Sequence, residues 1–335
     1  MIGIIFLCAI VDFLIVLWLT PWLIRYLRKI NMVVQDQNKE GKPLVPISGG
    51  LAVVAGFFVG VMTFIFIRSF FPVNDGLMLD DKTLVYIFAG ITSILIISLV
   101  GFIDDLIIKR NQDSSAGLNQ WQKPLLTLAA AIPLVAVFAG ETSMALPFFG
   151  RVNVGIIYPL VFVPIGVVGA ANMVNLLGGL NGLESGMGLV YTGMIGLYSY
   201  THSKYLAAFI SLMVFSALLG FFIYNKYPAK ILPGNSLTYF LGGTLAIIAI
   251  IGDIERAVIV AAIPFFIELI LKLRSKLKAD SFGYYENGKL HSKYKKIFSL
   301  THIFLRTGKF TEKQIVWMFM IIELIISSLI WFIIK

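Results

Sequence analysis

The chain is a succession of long apolar runs separated by short charged or Gly/Pro/Asn-rich breaks. Runs occupy 3–24, 48–70, 84–103, 124–140, 154–172, 186–201, 205–224, 237–252, 256–273 and 315–334. A helix rising about 1.5 Å per residue needs roughly 20 apolar residues to cross the bilayer core, so the pattern predicts ten transmembrane helices. Alternate connections differ in length: "YTHSK" and "DIER" are brief, whereas the basic loop at 274–313 is long. No repeat, low-complexity tract or linker divides the chain, so a single integral membrane domain over 1–335 is expected.

Composition agrees with the pattern. With 58% hydrophobic and 13% charged residues and a mean hydropathy of +0.89, the chain lies outside the range of soluble domains. The fold class is an all-α polytopic membrane protein. Charge then orients it. With the N-terminus outside, all but six of the 27 Lys and Arg residues fall on the cytoplasmic side, the exceptions being Arg68, Lys82, Arg151, Lys204, Arg256 and Lys335. The positive-inside rule therefore selects both termini outside, and the long polar loops put the chemistry on the cytoplasmic face. A net charge of +9 suits anionic lipid and anionic substrates, with no nucleic-acid motif behind it. The single cysteine, Cys8, excludes a disulfide framework and a thiolate metal cluster. The first run lacks a basic leader and a small-residue cleavage site and continues into "RYLRK", which reads as a membrane helix.

Four unusual stretches fall on that cytoplasmic side. In "QDQNKEGKPLVPISGG", Lys39 and Lys42 precede prolines that stiffen the chain and paired glycines that permit close backbone approach. In "GFIDDLIIKR", Asp104 and Asp105 close an apolar run, followed by "NQWQKPLL" with Lys123. Adjacent carboxylates at a membrane boundary need a cation, a lysine or a shared proton, and on a helix they diverge by about 100°, so different roles follow. In "NMVNLLGGLNGLESGMGL", Asn172 and Asn175 lie one turn apart before a glycine-rich loop carrying Asn181 and Glu184. Unpartnered amides in lipid cost several kcal/mol, so these must face a polar site, suited to carbonyl-oxygen metal ligation or to a base or sugar. The fourth stretch is "ILPGNSLTYFLGG" with Asn235, joined by the basic loop holding Arg274, Lys276, Lys278, His291 and His302. No Gly-x-x-x-x-Gly-Lys-Ser/Thr or His-Glu-x-x-His motif is present, which leaves phosphate binding to lysines and metal.

Together the four stretches resemble the polyprenyl-phosphate N-acetylhexosamine-1-phosphate transferases, most closely the dolichyl-phosphate N-acetylglucosaminephosphotransferase branch. "KPLVPISGG", "GFIDDL" and "QKPLL" are similar to three of the family's motifs, and "NMVNLLGGLNGLESG" is similar to the dolichol-branch Asn-x-x-Asn-x-x-x-Gly-x-Asn-Gly-Leu-Glu pattern. The resemblance implies Mg²⁺-dependent transfer of a sugar 1-phosphate, N-acetylglucosamine 1-phosphate first among the choices, from a UDP-sugar to a polyprenyl or dolichyl phosphate. UMP is released, and the product starts a lipid-linked oligosaccharide for protein N-glycosylation or surface glycan synthesis. It implies Asn175 as a metal ligand, with Asn235 as the second where most relatives carry an aspartate, and Mn²⁺ as the alternative ion. Asp104, Asp105 and Lys123 become the catalytic set, the carboxylates orienting or deprotonating the lipid phosphate, assisting the metal or positioning the lysine. The substrate-binding set is Lys39, Lys42, Asn172, Asn181, Glu184, Arg274, Lys276, Lys278 and His302, with Asn181 assigned to the uridine. The expected location is a cell membrane, or the endoplasmic reticulum in a eukaryote, with a homodimer left open. Two other readings are a polyprenyl-phosphate or nucleotide-sugar transporter, suggested by intramembrane Asp12, Glu268 and Glu323, and an inactive relative that binds lipid or nucleotide.

Overall fold

The structure is a computed structural model that describes residues 2–71, 77, 79–111, 117–146 and 150–333. Lys335 and the side chains of Lys109 and Arg110, which entered the charge count, lie outside the described residues. In chain order the elements are α1 (Ile2–Lys29), the hairpin β1 (Val33–Gln35) and β2 (Leu44–Pro46), α2 (Gly50–Phe70), α3 (Asp81–Asn111), α4 (Gln122–Leu128) and α5 (Ile132–Val137). The hairpin β3 (Ser143–Leu146) and β4 (Gly150–Asn153) leads into α6 (Val163–Leu176), α7 (Leu183–Thr201), α8 (Tyr205–Asn225) and α9 (Gly234–Gly252). The chain ends with α10 (Glu255–Ala261), α11 (Ile263–Leu273), the hairpin β5 (Tyr284–Glu286) and β6 (Lys289–His291), α12 (Thr301–Leu305), α13 (Glu312–Ser328) and α14 (Ile330–Ile333).

Among the described residues, seven helical segments are long and apolar enough to cross a membrane: 3–29, 50–70, 81–108, 158–176, 205–225, 234–252 and 312–333. The other three runs predicted from the sequence are also helical, but each departs from a regular apolar span. The run 124–140 is broken because Pro133 has no N–H and its ring opposes the carbonyl of Ala129, where a 3₁₀ turn, Ala129–Ala131, intervenes. Pro264 divides 256–273 into α10 and α11 in the same way. The run 186–201 falls on α7, which is long enough but diluted by glycine and hydroxyl side chains.

Helix α9 is the axis of the molecule. In its most apolar stretch 83% of the residues are buried, against 33% in α1. It packs against α2, α3, α6, α8 and α10, and glycines set how closely. A Cβ on Gly242 would sit 2.3 Å from the Ala170 carbonyl oxygen of α6, and one on Gly101 would sit 2.3 Å from the Asn235 carbonyl oxygen. At its N-terminal end α9 therefore touches α3 backbone to backbone. The loop hairpins β1–β2 and β5–β6 pair antiparallel beside this end.

Candidate functional site

The N-terminal turn of α9 gathers the paired aspartates of α3. Asp105 is fully buried and accepts hydrogen bonds from Ser48 Oγ at 2.6 Å, the Asn235 N–H at 2.6 Å and the Ser236 N–H at 3.2 Å. A carboxylate there meets the unpaired N–H groups and positive end of the helix dipole. The turn that makes this possible requires glycine. Gly234 has φ +71°, and a Cβ on it would stand 2.4 Å from Asp105 Oδ2. Asp104, also fully buried, turns the other way: it accepts from Asn235 Nδ2 at 2.9 Å and from the Leu118 N–H, and it pairs with Lys123 Nζ at 2.9 Å. The two neighbours on one helix thus have different partners. One carboxylate is closed inside protein donors, and the other is neutralised by a lysine at the edge of a cavity.

That cavity has a volume of about 560 Å³ and opens between α3, α4, α6, α9, α11 and the loops. Lys123, Asn172, Asn175, Asn181, Glu184 and Asn235 line it, so six sequence-predicted residues separated by more than a hundred positions are brought together. Asn175 Oδ1 accepts from Thr238 Oγ1 at 2.6 Å, and Asn172 Nδ2 donates to the Val168 carbonyl at 2.8 Å and to Thr127 Oγ1 at 3.2 Å. Glu184 Oε1 accepts from the Gly179 N–H at 2.8 Å, while its buried Oε2 has no protein donor. The lining is mixed: Ile108, Val168, Met173 and Leu269 are apolar, whereas the loop after α11 adds polar Asp280 and Ser281 beside the ring of Phe282.

Other predicted residues sit elsewhere. Arg274, Lys276 and Lys278 are exposed and do not line the cavity. The cation that α11 does supply is Lys272, which lies on the wall with Nζ donating to the Ala279 carbonyl at 2.6 Å and 3.8 Å from Glu268. His302 is buried, with Nε2 against the Asp280 carbonyl at 2.9 Å and Nδ1 taking the Phe298 N–H at 3.2 Å. Burial holds its pKa below the usual histidine value, and the two contacts fit the neutral Nε2–H tautomer. Lys42 is exposed on the rim of a separate cleft of about 630 Å³ between the β1–β2 and β5–β6 hairpins. Lys39 borders that cleft but turns its ammonium to Glu312 and Asp36.

Sequence reasoning missed Ser48, Thr238, Lys272 and Phe282. Thr238 could have been found, since it lies three residues after Asn235 and shares its helix face.

Comparison with known proteins identifies what this arrangement belongs to. The family model for glycosyl transferase family 4 matches residues 87–253, the stretch from α3 to the end of α9. A relative in Sulfolobus acidocaldarius is 37% identical over 97% of this chain and 94% of its own length. The chain belongs to glycosyl transferase family 4. A family member in Saccharolobus solfataricus is 35% identical over 92% of this chain and 89% of its own. Both bear the provisional name UDP-N-acetylglucosamine–dolichyl-phosphate N-acetylglucosaminephosphotransferase. Another family 4 member, the phospho-N-acetylmuramoyl-pentapeptide-transferase of Thermotoga neapolitana, is 32% identical over 95% of this chain and 96% of its own.

The donors around the cavity bear on a metal. Among the described residues, no group of three or more His, Cys, Asp or Glu side chains converges as a metal site. Asn175 and Asn235 line the cavity, with Asp104 hydrogen-bonded to Asn235, and the carboxylate of Glu184 is on the same wall. Such oxygen donors fit a hard cation such as Mg²⁺, which keeps waters and takes remaining ligands from substrate phosphates.

Proposed function

We propose that this family 4 enzyme transfers N-acetylglucosamine 1-phosphate from UDP-N-acetylglucosamine to a polyprenyl or dolichyl phosphate. An oxygen of the lipid phosphate attacks the sugar-bearing phosphorus, the bond to the bridging oxygen breaks, and UMP leaves. Both reactants are polyanions, so the chemistry asks mainly for charge neutralisation and in-line positioning. The observation that carries this reading is the convergence of Asp104, Lys123, Asn175 and Asn235 at one end of α9, at a cavity lined by both apolar and polar side chains. The apolar part of that lining suits a lipid chain and the polar part a soluble nucleotide-sugar. Lys123 is the cation best set to meet a diphosphate, with Asp104 holding its ammonium. Asn175 and Asn235 would hold Mg²⁺, or Mn²⁺ in its place, which would neutralise phosphate charge.

The same reading takes all ten helical segments as spans of a cell membrane, with both termini outside and the cavity at the cytoplasmic face. The distribution of lysine and arginine supports that orientation. A transporter is less well supported. Asp12 accepts from Ser216, Glu323 from Ser327, and Glu268 from the Leu300 N–H, and none of these bonds joins one carboxylate to another in an ion path.

Purified protein in lipid nanodiscs, given UDP-N-acetylglucosamine, polyprenyl phosphate and Mg²⁺, should release UMP and form the sugar-diphospholipid in equal amounts. Nucleotide binding without turnover would leave an inactive binder, and uptake into vesicles without UMP would leave a transporter. Asn235→Asp should lower the Mg²⁺ concentration needed for half-maximal rate; an unchanged requirement removes Asn235 from the metal shell.

A further inference from the structure

The segment Asp36–Lys39 forms part of the cavity wall through Asp36 and Gln37 and buries Asp36 and Asn38. Asn38 is 1% exposed; its Nδ2 donates to the Gly179 carbonyl, and its Oδ1 accepts from the Gly283 N–H at 3.2 Å. Asp36 accepts from Asn181 Nδ2 at 3.0 Å. Lys39 Nζ lies between Asp36, at 3.4 Å, and Glu312, and over the Tyr227 ring. Glu312, at the first turn of α13, accepts the Asn181 N–H at 2.6 Å on its other oxygen. Asn181 Oδ1 in turn takes the Ala229 N–H at 2.9 Å. The side-chain nitrogen, side-chain oxygen and backbone N–H of Asn181 are thus all engaged by protein. Asn181 is therefore held from three sides while it lines the cavity. What the network fixes is Gly179 against Phe282: a Cβ on Gly179 would fall 3.2 Å from that ring.

We propose that Asn38 and Glu312 are positioning residues that, through Gly179 and Asn181, hold the polar wall of the cavity in register for the soluble substrate. The substrate assignment rests on the transferase reading above. Five distant segments are tied here: the β1–β2 loop, the glycine loop, the turn before α9, the loop before β5 and the last long helix. The apolar lining residues Ile108, Val168, Met173 and Leu269 take no part in these bonds, so loosening them acts on one substrate and spares the other.

The test measures both Michaelis constants in nanodiscs for wild type, Asn38→Ala, Glu312→Ala and Glu312→Gln. Losing a buried acceptor at this wall should raise KM for UDP-N-acetylglucosamine about tenfold. KM for polyprenyl phosphate and kcat should stay within about twofold, because neither depends on ground-state contacts at that wall. Glu312→Gln keeps an oxygen for the Asn181 N–H and should recover most of the loss; it also serves if the alanine variant does not fold. Hydrogen exchange gives a readout free of activity: amides of Gly179 to Asn181 should exchange faster in Glu312→Ala while those of α9 do not. Equal losses on both substrates, no loss at all, or unchanged exchange would each overturn the proposal. Wild type that releases no UMP would sink the transferase reading, while the exchange arm would still decide whether the wall is held this way.

Discussion

The two ends of α9 carry the same kinds of group and use them differently. At its C-terminal end Asp253, in a left-handed conformation, pairs with Arg151 and with Lys204 at 3.3 Å. Those side chains are 35% to 55% exposed, and they satisfy one another. At the N-terminal end Asp104 and Asp105 are wholly buried, and their partners Lys123 and Asn235 line a cavity. Exposed ion pairs are screened by water and contribute little. Buried carboxylates must be fully satisfied, and their arrangement is correspondingly specific. Charge by itself therefore does not distinguish the two ends of this helix; burial next to space does.

The sharpest way to break that contrast is Asp104→Asn. Turnover should fall about 10²-fold or more, and because Asp104 is buried among three donors of its own the variant also loses about 2–4 kcal/mol of stability. Asp105→Asn should lose as much stability, because an amide nitrogen would face at least one of three donors, but less turnover, because Asp105 does not line the cavity. Thermal scans of both variants beside UMP-release assays separate the two roles, and identical behaviour would erase the distinction drawn between them.

Lys123→Ala should lower kcat/KM for the UDP-sugar by about 10- to 10²-fold, since it removes the cation and leaves Asp104 buried without it. Steady-state kinetics with each substrate varied would reveal an equal loss for the lipid, which would contradict a diphosphate role.

His302 gives a smaller, pH-dependent effect outside the site. Its pKa is depressed by burial, so the unfolded chain takes up a proton more readily than the folded one. Its contribution is complete above the ordinary histidine value of about 6.5 and declines as pH falls toward the lower folded value. Melting midpoints between pH 5 and 8 should drop on the acid side in wild type and flatten in His302→Gln. The smallest change belongs to the far end of α9: Asp253→Asn should leave turnover within about twofold and cost at most about 1 kcal/mol in a chemical-denaturation or thermal assay.

Much of this arrangement was legible in the chain. Apolar runs marked every long helix, and the adjacent aspartates, Asn175 and the glycine loop marked the site, because each violates what lipid tolerates. The breaks at Pro133 and Pro264 were equally visible but were passed over in favour of run length. The basic loop misled for a physical reason. Arg274, Lys276 and Lys278 stand out by charge, yet charge on a solvated loop needs no partner, whereas Lys272 reaches the wall because it sits at the end of an amphipathic helix. Asn38 and Glu312 left no local signal. Their roles depend on pairing residues 141 and 131 positions apart, which periodicity and spacing do not encode.

The clasp between Asp105 and the first turn of α9 has a consequence for biogenesis. Its two halves are separated by 130 residues, so at about 5–20 residues per second the ribosome delivers α9 roughly 6–26 s after α3. Throughout that interval α3 holds two carboxylates without their α9 partners, and Lys123, which pairs with Asp104, arrives well before α9. The candidate site of this protein is thus assembled late, when α9 joins helices already made, and a chain stalled before Gly234 has α3 and α6 but not the turn that clasps Asp105.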